Sequence, residues 1–409
     1  MSNTAKILST IFHFWLISVN TSCSHGISEE SNARLGNSER ITVAADRTNE
    51  YLPLLSKRSV AIVANQTSRL GHEHLVDSLL SLGVNIKCVF APEHGFRGEA
   101  GAGEKILDGR DVKTGLSIIS LYGKHLKPTK EDLHKVDVVI FDIQDVGARF
   151  YTYISTLQYV MEACAQNHVE LIILDRPNPN GFYVDGPVLE EKYKSFVGMC
   201  TIPVVHGMTI GEYAMMLKGE RLFSRSDSLE LKVITVQNYT HDSLYQLPVR
   251  PSPNLPNMQS VYLYPSICFF EGTSISLGRG TPFPFQYIGF PGMQNGTVSF
   301  KPVNIPGVVT NPPYRDTLCN GLDLRNESFF QGSIQKKIQI KWLLEMYASF
   351  PDKKKFFNPF FEKLAGTKLL RQQIIAGVDE SEIRKSWQTE LLKFKKIRKK
   401  YLLYPDFEN

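Results

Sequence analysis

Three clusters of polar residues contain the side chains best suited to acid-base chemistry. Each follows an apolar run, and they lie at residues 91–98 (APEHGFRG), 142–149 (DIQDVGAR) and 175–181 (DRPNPNG). If those runs are strands of a parallel sheet, the clusters meet at one edge, because ligands bind outside the carboxyl ends of such strands. The acidic and imidazole groups expected at this edge are Glu93, His94, Asp142, Asp145 and Asp175.

Paired carboxylates indicate hydrolysis, and glycoside cleavage is a reaction that needs two of them. One carboxyl group protonates the leaving oxygen, and the other activates water or attacks the anomeric carbon. Metal-assisted hydrolysis is an alternative, since oxygen and imidazole ligands suit several divalent ions. The sequence contains no H-E-x-x-H or similarly spaced motif. We therefore expect neither a metal nor another cofactor.

Residues 250–285 form a second polar region, which combines proline, glycine, aromatic and charged residues more densely than a linker does. Proline fixes turns, and glycine lets the backbone approach a ligand. Glu271 is a candidate for the second catalytic carboxylate. Asn254 and Arg279 are candidates for binding substrate, and the aromatic residues suit stacking on a sugar.

The glycine-rich loop at residues 95–105 resembles a phosphate-binding loop only in part. Gly98 and Gly103 have the separation of a P-loop, but Glu104 stands at the lysine position and no Ser or Thr follows to bind magnesium. The first apolar run ends in Asn65 without a G-x-G-x-x-G fingerprint. The sequence therefore lacks the signatures of a nucleotide cofactor.

Val, Ile and Leu runs alternate with helical patterns from residue 51 onward, which is typical of a parallel sheet covered on both faces. The predicted strands are residues 59–64, 84–90, 116–122, 136–141, 169–174, 203–205 and 231–236. The predicted helices are residues 74–82, 154–164 and 380–401. We therefore expect an α/β protein with a Rossmann-like parallel sheet, followed by a second, smaller unit.

The last predicted helix is strongly basic on one side. Apolar residues recur between its lysines, so we expect an apolar face packed on the protein and charges in solvent. A helix lying on a membrane surface is the alternative. The basic residues are Lys393, Lys395, Lys396, Arg398, Lys399 and Lys400.

Composition excludes several classes of protein. The chain has 409 residues with 46 basic and 41 acidic side chains, a formal net charge of +5, so no basic field of the kind a nucleic-acid-binding protein needs is present. Nucleic acid is therefore not an expected partner. Five of the six cysteines are dispersed through the chain, and we expect most of them to be buried free thiols.

The amino terminus predicts export. Lys6 precedes an apolar run at residues 7–19, too short for a membrane span, and Cys23 follows small residues as in a bacterial lipoprotein processing site. We expect a periplasmic or outer-membrane lipoprotein whose only membrane contact is a lipid anchor at Cys23; an ordinary cleavage site is the alternative. The predicted organisation is a signal peptide at 1–22, a tether at 23–42, a Rossmann-like catalytic domain at 43–245 and a carboxy-terminal α/β domain at 246–409.

Several long motifs in order resemble the NamZ family of exo-β-N-acetylmuramidases. They are residues 91–98, 141–153 (FDIQDVGARFYTY), 174–179 (LDRPNP), 250–256 (RPSPNLP), 271–273 (EGT) and 278–281 (GRGT). The resemblance implies an active-site cleft between the Rossmann-like and the smaller domain. It also implies release of N-acetylmuramic acid from the non-reducing end of peptidoglycan-derived MurNAc-GlcNAc oligosaccharides.

The resemblance implies that Glu93 is catalytic, and we expect it to be the general acid, with His94 positioning it or binding substrate. Glu271, Asp142 and Asp145 remain candidates for the partner carboxylate. Arg97, Arg149 and Arg279 are candidates for binding the lactyl carboxylate of muramic acid, and Arg279 is the first choice. The alternative is that Arg279 only pairs with Glu271 or another carboxylate of the cleft. The expected substrate-binding residues are Asn65, Arg97, Gln144, Arg149, Tyr151, Asp175, Asn178, His206, Asn254, Arg279 and Thr281.

Two other classes of protein fit the same sheet. A non-catalytic muropeptide- or sugar-binding lipoprotein would use the same cleft without turning over a glycoside. A nucleotide- or metal-dependent enzyme would show nucleotide binding or sensitivity to chelators.

Overall fold

A central parallel sheet organises the protein. The structure is a computed structural model that describes residues 40–98, 108–327 and 336–408. Residues from Arg40 onward form one compact unit. The predicted signal peptide, Cys23 and most of the glycine-rich loop lie outside the described residues. Thr42, at the end of the predicted tether, pairs through its backbone with Gln237.

The amino-terminal part contains nine strands, seven of them in the main sheet. The strands are β1 Ser59–Ala64, β2 Arg69–Leu70, β3 Glu73–His74, β4 Asn85–Ala91, β5 Gly109–Arg110, β6 Ser117–Ser120, β7 Val138–Asp142, β8 Glu170–Leu174 and β9 Leu231–Ile234. The main sheet has the order β5-β6-β4-β1-β7-β8-β9, and every pair in it is parallel except β5 with β6. The six parallel strands thus follow the order 3-2-1-4-5-6, which confirms the predicted Rossmann-like fold.

Helices cover both faces of this sheet. They are α1 Thr48–Leu55, α2 Leu75–Ser81, α3 Tyr153–Asn167 and α4 Ile210–Gly219. Successive strand residues point to opposite faces: Val60 and Ile62 pack in the core with α1 and α2, whereas Ala61 and Val63 pack in the core with α3 and α4. Burial on both faces explains why the strands read as continuous apolar runs.

The carboxy-terminal part is smaller and mostly helical. A three-stranded antiparallel sheet has the order β10-β12-β11, with β10 Tyr287–Phe290, β11 Val298–Phe300 and β12 Cys319–Asp323. The helices are α5 Met258–Ile267, α6 Lys341–Ser349, α7 Lys353–Phe356, α8 Phe361–Ala365, α9 Leu369–Ile375 and α10 Glu380–Arg398. Their buried residues join those of α3 and α4 in one continuous apolar core.

One predicted strand is wrong. Residues 203–205 form no strand of the main sheet; instead Val205 makes isolated bridges with Ala148 and Asp185. The valines there are buried in a loop segment and are not part of a continuous strand pairing. This loop brings Ala148 and Asp185 together on the side of the sheet that faces the carboxy-terminal part.

Helix α10 largely confirms its prediction. Ile383, Trp387, Leu391 and Phe394 are buried on one face and belong to the main core. Arg398 departs from the prediction, because it is buried and its guanidinium bonds both carboxylate oxygens of Asp406, at 2.8 Å each. The lysines at 393, 396, 399 and 400 are exposed.

The described cysteines are buried free thiols, as the dispersed spacing predicted. They are Cys88, Cys164, Cys200, Cys268 and Cys319. Among the described residues, no helix has the length and apolar character needed to cross a membrane.

Candidate active site

A cavity of about 350 Å³ opens at the carboxyl edge of the main sheet. Its walls combine the segments that follow β4, β6 and β7 with residues of the carboxy-terminal part. The polar and charged residues that line it are Glu93, His94, Tyr122, Tyr151, Thr152, Tyr153, Ser252, Asn254, Tyr264, Glu271 and Arg279. Apolar residues include Phe150, Phe196, Phe285 and Phe360.

Glu93 enters the cavity from the tight turn that ends β4. The backbone N–H of Gly95 bonds the carbonyl of Pro92 at 3.0 Å, and His94 and Gly95 both have positive φ angles, of 73° and 80°. A positive φ is uncommon for a residue other than glycine, and at His94 it accompanies burial beside the catalytic candidate. The turn therefore fixes the backbone position from which the Glu93 side chain extends.

Two hydroxyl groups hold the Glu93 carboxylate. Tyr122 donates to Oε1 at 3.0 Å, and Thr152 donates to Oε2 at 2.8 Å. Tyr122 lies just beyond β6, and Thr152 is the residue before α3, so both come from the same sheet edge as Glu93. Burial and then the negative charge of Glu93 raise the pKa of Tyr122, which keeps its hydroxyl proton available as a donor.

Glu271 and Arg279 form an ion pair in the wall contributed by the carboxy-terminal part. The Arg279 guanidinium donates to Glu271 Oε1 at 2.5 Å and lies 5.0 Å from the centre of the Phe285 ring. The flanking residues Gly278 and Gly280 have φ angles of 75° and 81°, and a Cβ on either would come within 2.7 Å of a backbone oxygen. Only glycine therefore fits on both sides of this arginine.

Phe196 provides an aromatic surface near the Glu93 end of the cavity. Its ring stacks on Tyr159, with centroids 6.4 Å apart and an interplanar angle of 19°, and lies at the same centroid distance from Tyr122. Phe196 is partly exposed. An exposed ring face beside a hydrogen-bonded carboxylate suits a ligand that has both an apolar and a polar side, as a pyranose does.

The strand-end carboxylates do not all converge on one site, contrary to the expectation from sequence. Asp142, at the end of β7, is fully buried and bonds Arg176 through both oxygens, at 2.6 and 2.8 Å. The Ser68 hydroxyl also donates to the Asp142 carbonyl. Asp142 lies outside the cavity lining and is neutralised by Arg176, so its environment is that of a structural ion pair.

Asp145 is buried near His206 rather than in the cavity wall. Its Oδ2 accepts the N–H of Gly147 at 2.6 Å, and burial raises the pKa of Asp145 to about 7. His206 Nε2 lies 3.9 Å from Oδ2, beyond hydrogen-bond distance. Burial, followed by the positive charge of Arg398, lowers the pKa of His206 to about 3, so the imidazole is neutral.

Asp175, Gln144 and Asn178 hold the loops at the sheet edge together. Asp175 accepts hydrogen bonds from the hydroxyls of Thr209 at 2.7 Å and Tyr404 at 2.6 Å. Gln144 donates to the carbonyls of Asp145 and Pro177, and Asn178 donates to that of Met208. These predicted substrate-binding residues make their hydrogen bonds inside the protein and do not line the cavity, although Gln144 Oε1 is buried without a partner among the described residues.

Neither of the other arginine candidates lines the cavity. Arg149 is fully buried and donates to the carbonyls of Pro187, Ile202 and Leu364, while burial lowers its pKa to about 9. Arg97 forms ion pairs with Asp77 at 3.0 Å and Asp111 at 2.7 Å. Both therefore stabilise the fold, and Arg279 is the only Arg or Lys among the described residues lining the cavity.

The remaining candidates divide between wall and turn positions. Tyr151 and Asn254 line the cavity, and the Asn254 amide donates to the carbonyl of Val308 at 3.2 Å. Asn65 accepts hydrogen bonds from Thr67 within its own loop, and the Thr281 hydroxyl donates to the Gly278 carbonyl at 2.7 Å. Thr281 therefore supports the loop that presents Arg279.

Sequence reasoning missed Tyr122 and Thr152, the two partners of Glu93. Tyr122 ends the third predicted strand, which is the position where the strand-end rule directs attention. Thr152 lies inside the motif at residues 141–153. Phe196 had no comparable signal, because its loop reaches the cavity only through tertiary packing.

The described part of the chain contains no group of three or more His, Cys, Asp or Glu side chains arranged to hold a metal ion. Rossmann folds bind nucleotides in the crevice between the strands that correspond to β1 and β7. Here the loops that follow β1, β7 and β8 form hydrogen bonds with one another at that place. The backbone N–H of Gln144 donates to the Thr67 hydroxyl at 3.0 Å, and Arg176 donates to the carbonyl of Arg69 at 3.0 Å. The ligand cavity instead lies towards β4 and β6.

The protein combines a Rossmann-like α/β fold with a cavity in which two hydroxyl groups bind the carboxylate of a glutamate. This combination suits a hydrolase that uses acid catalysis. Models of the exo-β-N-acetylmuramidase NamZ amino-terminal and carboxy-terminal domains match residues 60–259 and 262–404. The chain is 40% identical over 339 residues to the peptidoglycan β-N-acetylmuramidase NamZ of Bacillus subtilis, covering 78% of this chain and 80% of that protein. The chain belongs to the NamZ family of exo-β-N-acetylmuramidases.

Solved structures share this fold. A DUF1343 family protein of Bacteroides fragilis has a TM-score of 0.83 at 46% identity, covering 90% of this chain and 100% of its own. A second DUF1343 family protein of the same organism has a TM-score of 0.78 at 29% identity, covering 89% of this chain and 99% of its own. The match to nearly the full length of both proteins supports the predicted architecture.

Proposed function

We propose that this protein is an exo-acting glycosidase that removes terminal N-acetylmuramic acid from the non-reducing end of peptidoglycan fragments, in cell-wall turnover or recycling. Family membership supports this reaction. The observation that carries the proposal is Glu93, whose carboxylate is held by Tyr122 and Thr152 in the wall of a cavity at the sheet edge. That geometry suits a carboxyl group that must deliver a proton to one position in the cavity.

Glu93 acts as the general acid in this proposal. A glycosidic oxygen is a poor leaving group until it is protonated, and a positioned carboxyl group provides that proton in the transition state. The hydroxyls of Tyr122 and Thr152 each leave one lone pair of a carboxylate oxygen open, so the carboxyl group can still reach substrate. Their role is to fix its rotamer.

Arg279 recognises the lactyl carboxylate of muramic acid. Its guanidinium offers five N–H donors, and the bond to Glu271 uses one of them. The bond to Glu271 and the Phe285 ring hold the guanidinium in one orientation, and the remaining donors can bind a carboxylate in parallel. Glu271 therefore serves to orient Arg279, which leaves Glu93 as the carboxylate of the cavity without an ion pair among the described residues.

The substrates are MurNAc-GlcNAc oligosaccharides, and the protein is exported and anchored by lipid at Cys23. The apolar run at residues 7–19 and the small residues before Cys23 support that location. Metabolic labelling with a radioactive fatty acid should label the wild-type protein, and Cys23→Ala should abolish the label. A labelled Cys23→Ala protein, or an unlabelled wild type, would count against the anchor.

The test of function is incubation with a disaccharide of N-acetylmuramic acid linked β-1,4 to N-acetylglucosamine, with products and anomers followed by NMR. We expect stoichiometric release of both monosaccharides, and no cleavage inside a longer glycan. Glu93→Gln is the matched control, because it keeps the shape of the side chain and removes the acid. Binding without turnover would instead favour the muropeptide-binding lipoprotein.

A further inference from the structure

A second cavity lies at the opposite edge of the main sheet, around the amino ends of β1, β7 and β8. Its volume is about 610 Å³, compared with about 350 Å³ for the active-site cavity. Six basic or imidazole side chains line it: Lys57, Arg58, Lys130, His134, Lys135 and His168. We call this the amino-edge cavity.

The amino-edge cavity has little negative charge in its lining. Asp137 is the only carboxylate among its described lining residues, and its Oδ2 accepts the backbone N–H of Ser59 at 2.7 Å. Arg58 is engaged as well, since it donates to Glu170 Oε2 at 2.5 Å and to the Asp137 carbonyl at 2.8 Å. Asp137 is thus the one carboxylate of the described lining, and no lysine of that lining forms an ion pair with it.

The three lysines have no counter-ion. In the described chain, Lys57, Lys130 and Lys135 make no ion pair and no side-chain hydrogen bond, and all three are exposed. Elsewhere on the surface, lysines such as Lys393 and Lys400 pair with glutamates at 2.7 and 2.9 Å. Uncompensated like charges that line one cavity repel one another, and a bound anion would relieve that repulsion.

Two of these lysines lie in turns that precede neighbouring strands. The register pairs Val60 of β1 with Val138 of β7, and Lys57 and Lys135 lie three residues before these positions, in the turns that precede the two strands. β1 and β7 are neighbouring strands, so the turns that carry the two lysines both lie at the amino edge of this strand pair. Lys57, Lys135 and His168 have φ angles of 60°, 57° and 56°, in the left-handed region where glycine is the easier residue.

We propose that the amino-edge cavity binds a phosphate group. Lysine ammonium groups act as point charges that suit the several oxygens of a phosphate, whereas a carboxylate is best recognised by the planar fork of a free arginine. The single arginine here is already engaged, and the lysines and imidazoles supply the remaining donors of the lining. The phosphate can belong to a soluble ester or to a lipid headgroup.

The placement of this site gives it a role separate from catalysis. Strand β1 runs from the amino-edge cavity to the active-site edge over six residues, roughly 20 Å. A phosphate bound at one edge cannot contact a sugar at the other. Attachment of a headgroup at the amino edge would point the active-site cavity away from the lipid surface.

Isothermal titration of the full chain with inorganic pyrophosphate, at constant ionic strength, tests this site. The decisive variant is the double substitution Lys57→Gly with Lys135→Gly, since glycine suits the observed φ angles and removes both charges. We expect at least tenfold weaker pyrophosphate binding together with an unchanged or higher thermal midpoint of the free protein. Loss of binding could then not be ascribed to misfolding.

Arg225→Gly is the matched control, because Arg225 also has a positive φ, of 60°, and lies outside the cavity. It should bind pyrophosphate as the wild type does. A parallel arm uses phosphatidylglycerol vesicles with phosphatidylcholine vesicles as the neutral comparison. Binding to phosphatidylglycerol vesicles alone, lost in the double variant, assigns the phosphate to a headgroup. Binding of pyrophosphate, lost in the double variant, assigns the site to a soluble phosphate.

Equal anion binding by the wild type and the double variant would overturn the proposal, as would no binding in either arm. Turnover of a muramic acid glycoside should be unaffected by the double substitution. Failure of the phosphate site and failure of the proposed glycosidase activity are therefore distinguishable.

Discussion

The Tyr122 hydroxyl donates a hydrogen bond to Glu93 Oε1 at 3.0 Å, and this bond joins the loops that follow two neighbouring strands, β4 and β6. Tyr122 lies one residue beyond Leu121, whose backbone N–H continues the pairing to the carbonyl of Ala91 at 2.8 Å. The pairing of β4 with β6 therefore extends almost to Glu93 and Tyr122. A carboxylate supported in this way keeps one orientation, and no ion pair is needed among the described residues to hold it.

Replacing Glu93 by Gln should remove most of the activity. Gln is nearly isosteric but cannot supply a carboxyl proton, and general acid catalysis contributes about a hundredfold to ten-thousandfold in rate. We expect kcat on the MurNAc-GlcNAc disaccharide to fall by that factor, with a thermal midpoint close to that of the wild type. Turnover near the wild-type rate would exclude Glu93 from the mechanism.

Tyr122→Phe tests whether orientation of Glu93 matters. The substitution removes one donor to a carboxylate and keeps the aromatic wall, so we expect kcat to fall about tenfold to a hundredfold with little change in KM, in line with the 1.5–3 kcal/mol range of hydrogen bonds to charged groups. Tyr159→Phe is the matched control, because Tyr159 stacks on Phe196 but does not line the cavity. Equal effects of the two substitutions would point to general packing.

Arg279→Lys tests recognition of the lactyl acid. Lysine retains the charge but lacks the planar fork that binds two carboxylates at once, so kcat/KM should fall more for muramic acid glycosides than for their N-acetylglucosamine analogues. An equal loss for both substrates would assign Arg279 to pairing with Glu271 alone. Measuring both substrates with one enzyme preparation removes differences in active fraction.

Much of the fold is predictable because buried parallel strands appear in the sequence as short, nearly continuous apolar runs. Runs such as residues 59–64 and 169–174 are apolar on both faces, and the structure contains β1 and β8 there. The run at residues 203–205 has the same composition but makes only isolated bridges. An apolar composition indicates that a segment is buried. Whether the segment forms a strand depends on hydrogen bonds to a neighbouring strand, which the local sequence does not show.

The site is less predictable for a related reason. Sequence places carboxylates at strand ends but does not show which of them are satisfied internally. Asp142 has Arg176, and Asp175 has Tyr404 from the carboxy-terminal end of the chain, so both are used by the fold. Among the described side chains, the Glu93 carboxylate bonds only the hydroxyls of Tyr122 and Thr152. That distinction depends on contacts between residues far apart in sequence.

Asp145→Asn should change the pH dependence of the free energy of unfolding and leave catalysis nearly unchanged. Burial raises the pKa of Asp145 from 3.8 to about 7, so between these values the folded protein binds a proton that the unfolded chain releases. Stability contributed by this group is therefore present near pH 4, declines as pH rises to 7 and stays low above it. Asn keeps an oxygen acceptor for the Gly147 N–H and has no charge to bury.

We expect Asp145→Asn to raise the free energy of unfolding at pH 8 by about 1 to 3 kcal/mol relative to wild type, and by much less at pH 4. Denaturant unfolding at the two pH values measures the difference. Because Asp145 lies outside the cavity lining, kcat should remain within about threefold of wild type. A catalytic loss like that of Glu93→Gln would restore Asp145 as a partner carboxylate.

The buried pair of Asp142 and Arg176 supports the most direct test of a purely structural role at the sheet edge. Arg176→Met leaves Asp142 buried without its bidentate partner, and breaking such a pair costs about 3–5 kcal/mol. Adding Asp142→Leu removes the unpaired charge, so the double variant should recover a large part of that loss. Denaturant unfolding of both single variants and the double variant at pH 7 gives the coupling energy. Kinetics on the folded double variant then decide the role of Asp142: activity that returns with stability confirms a structural pair, whereas a stable but inactive double variant would place Asp142 in the reaction.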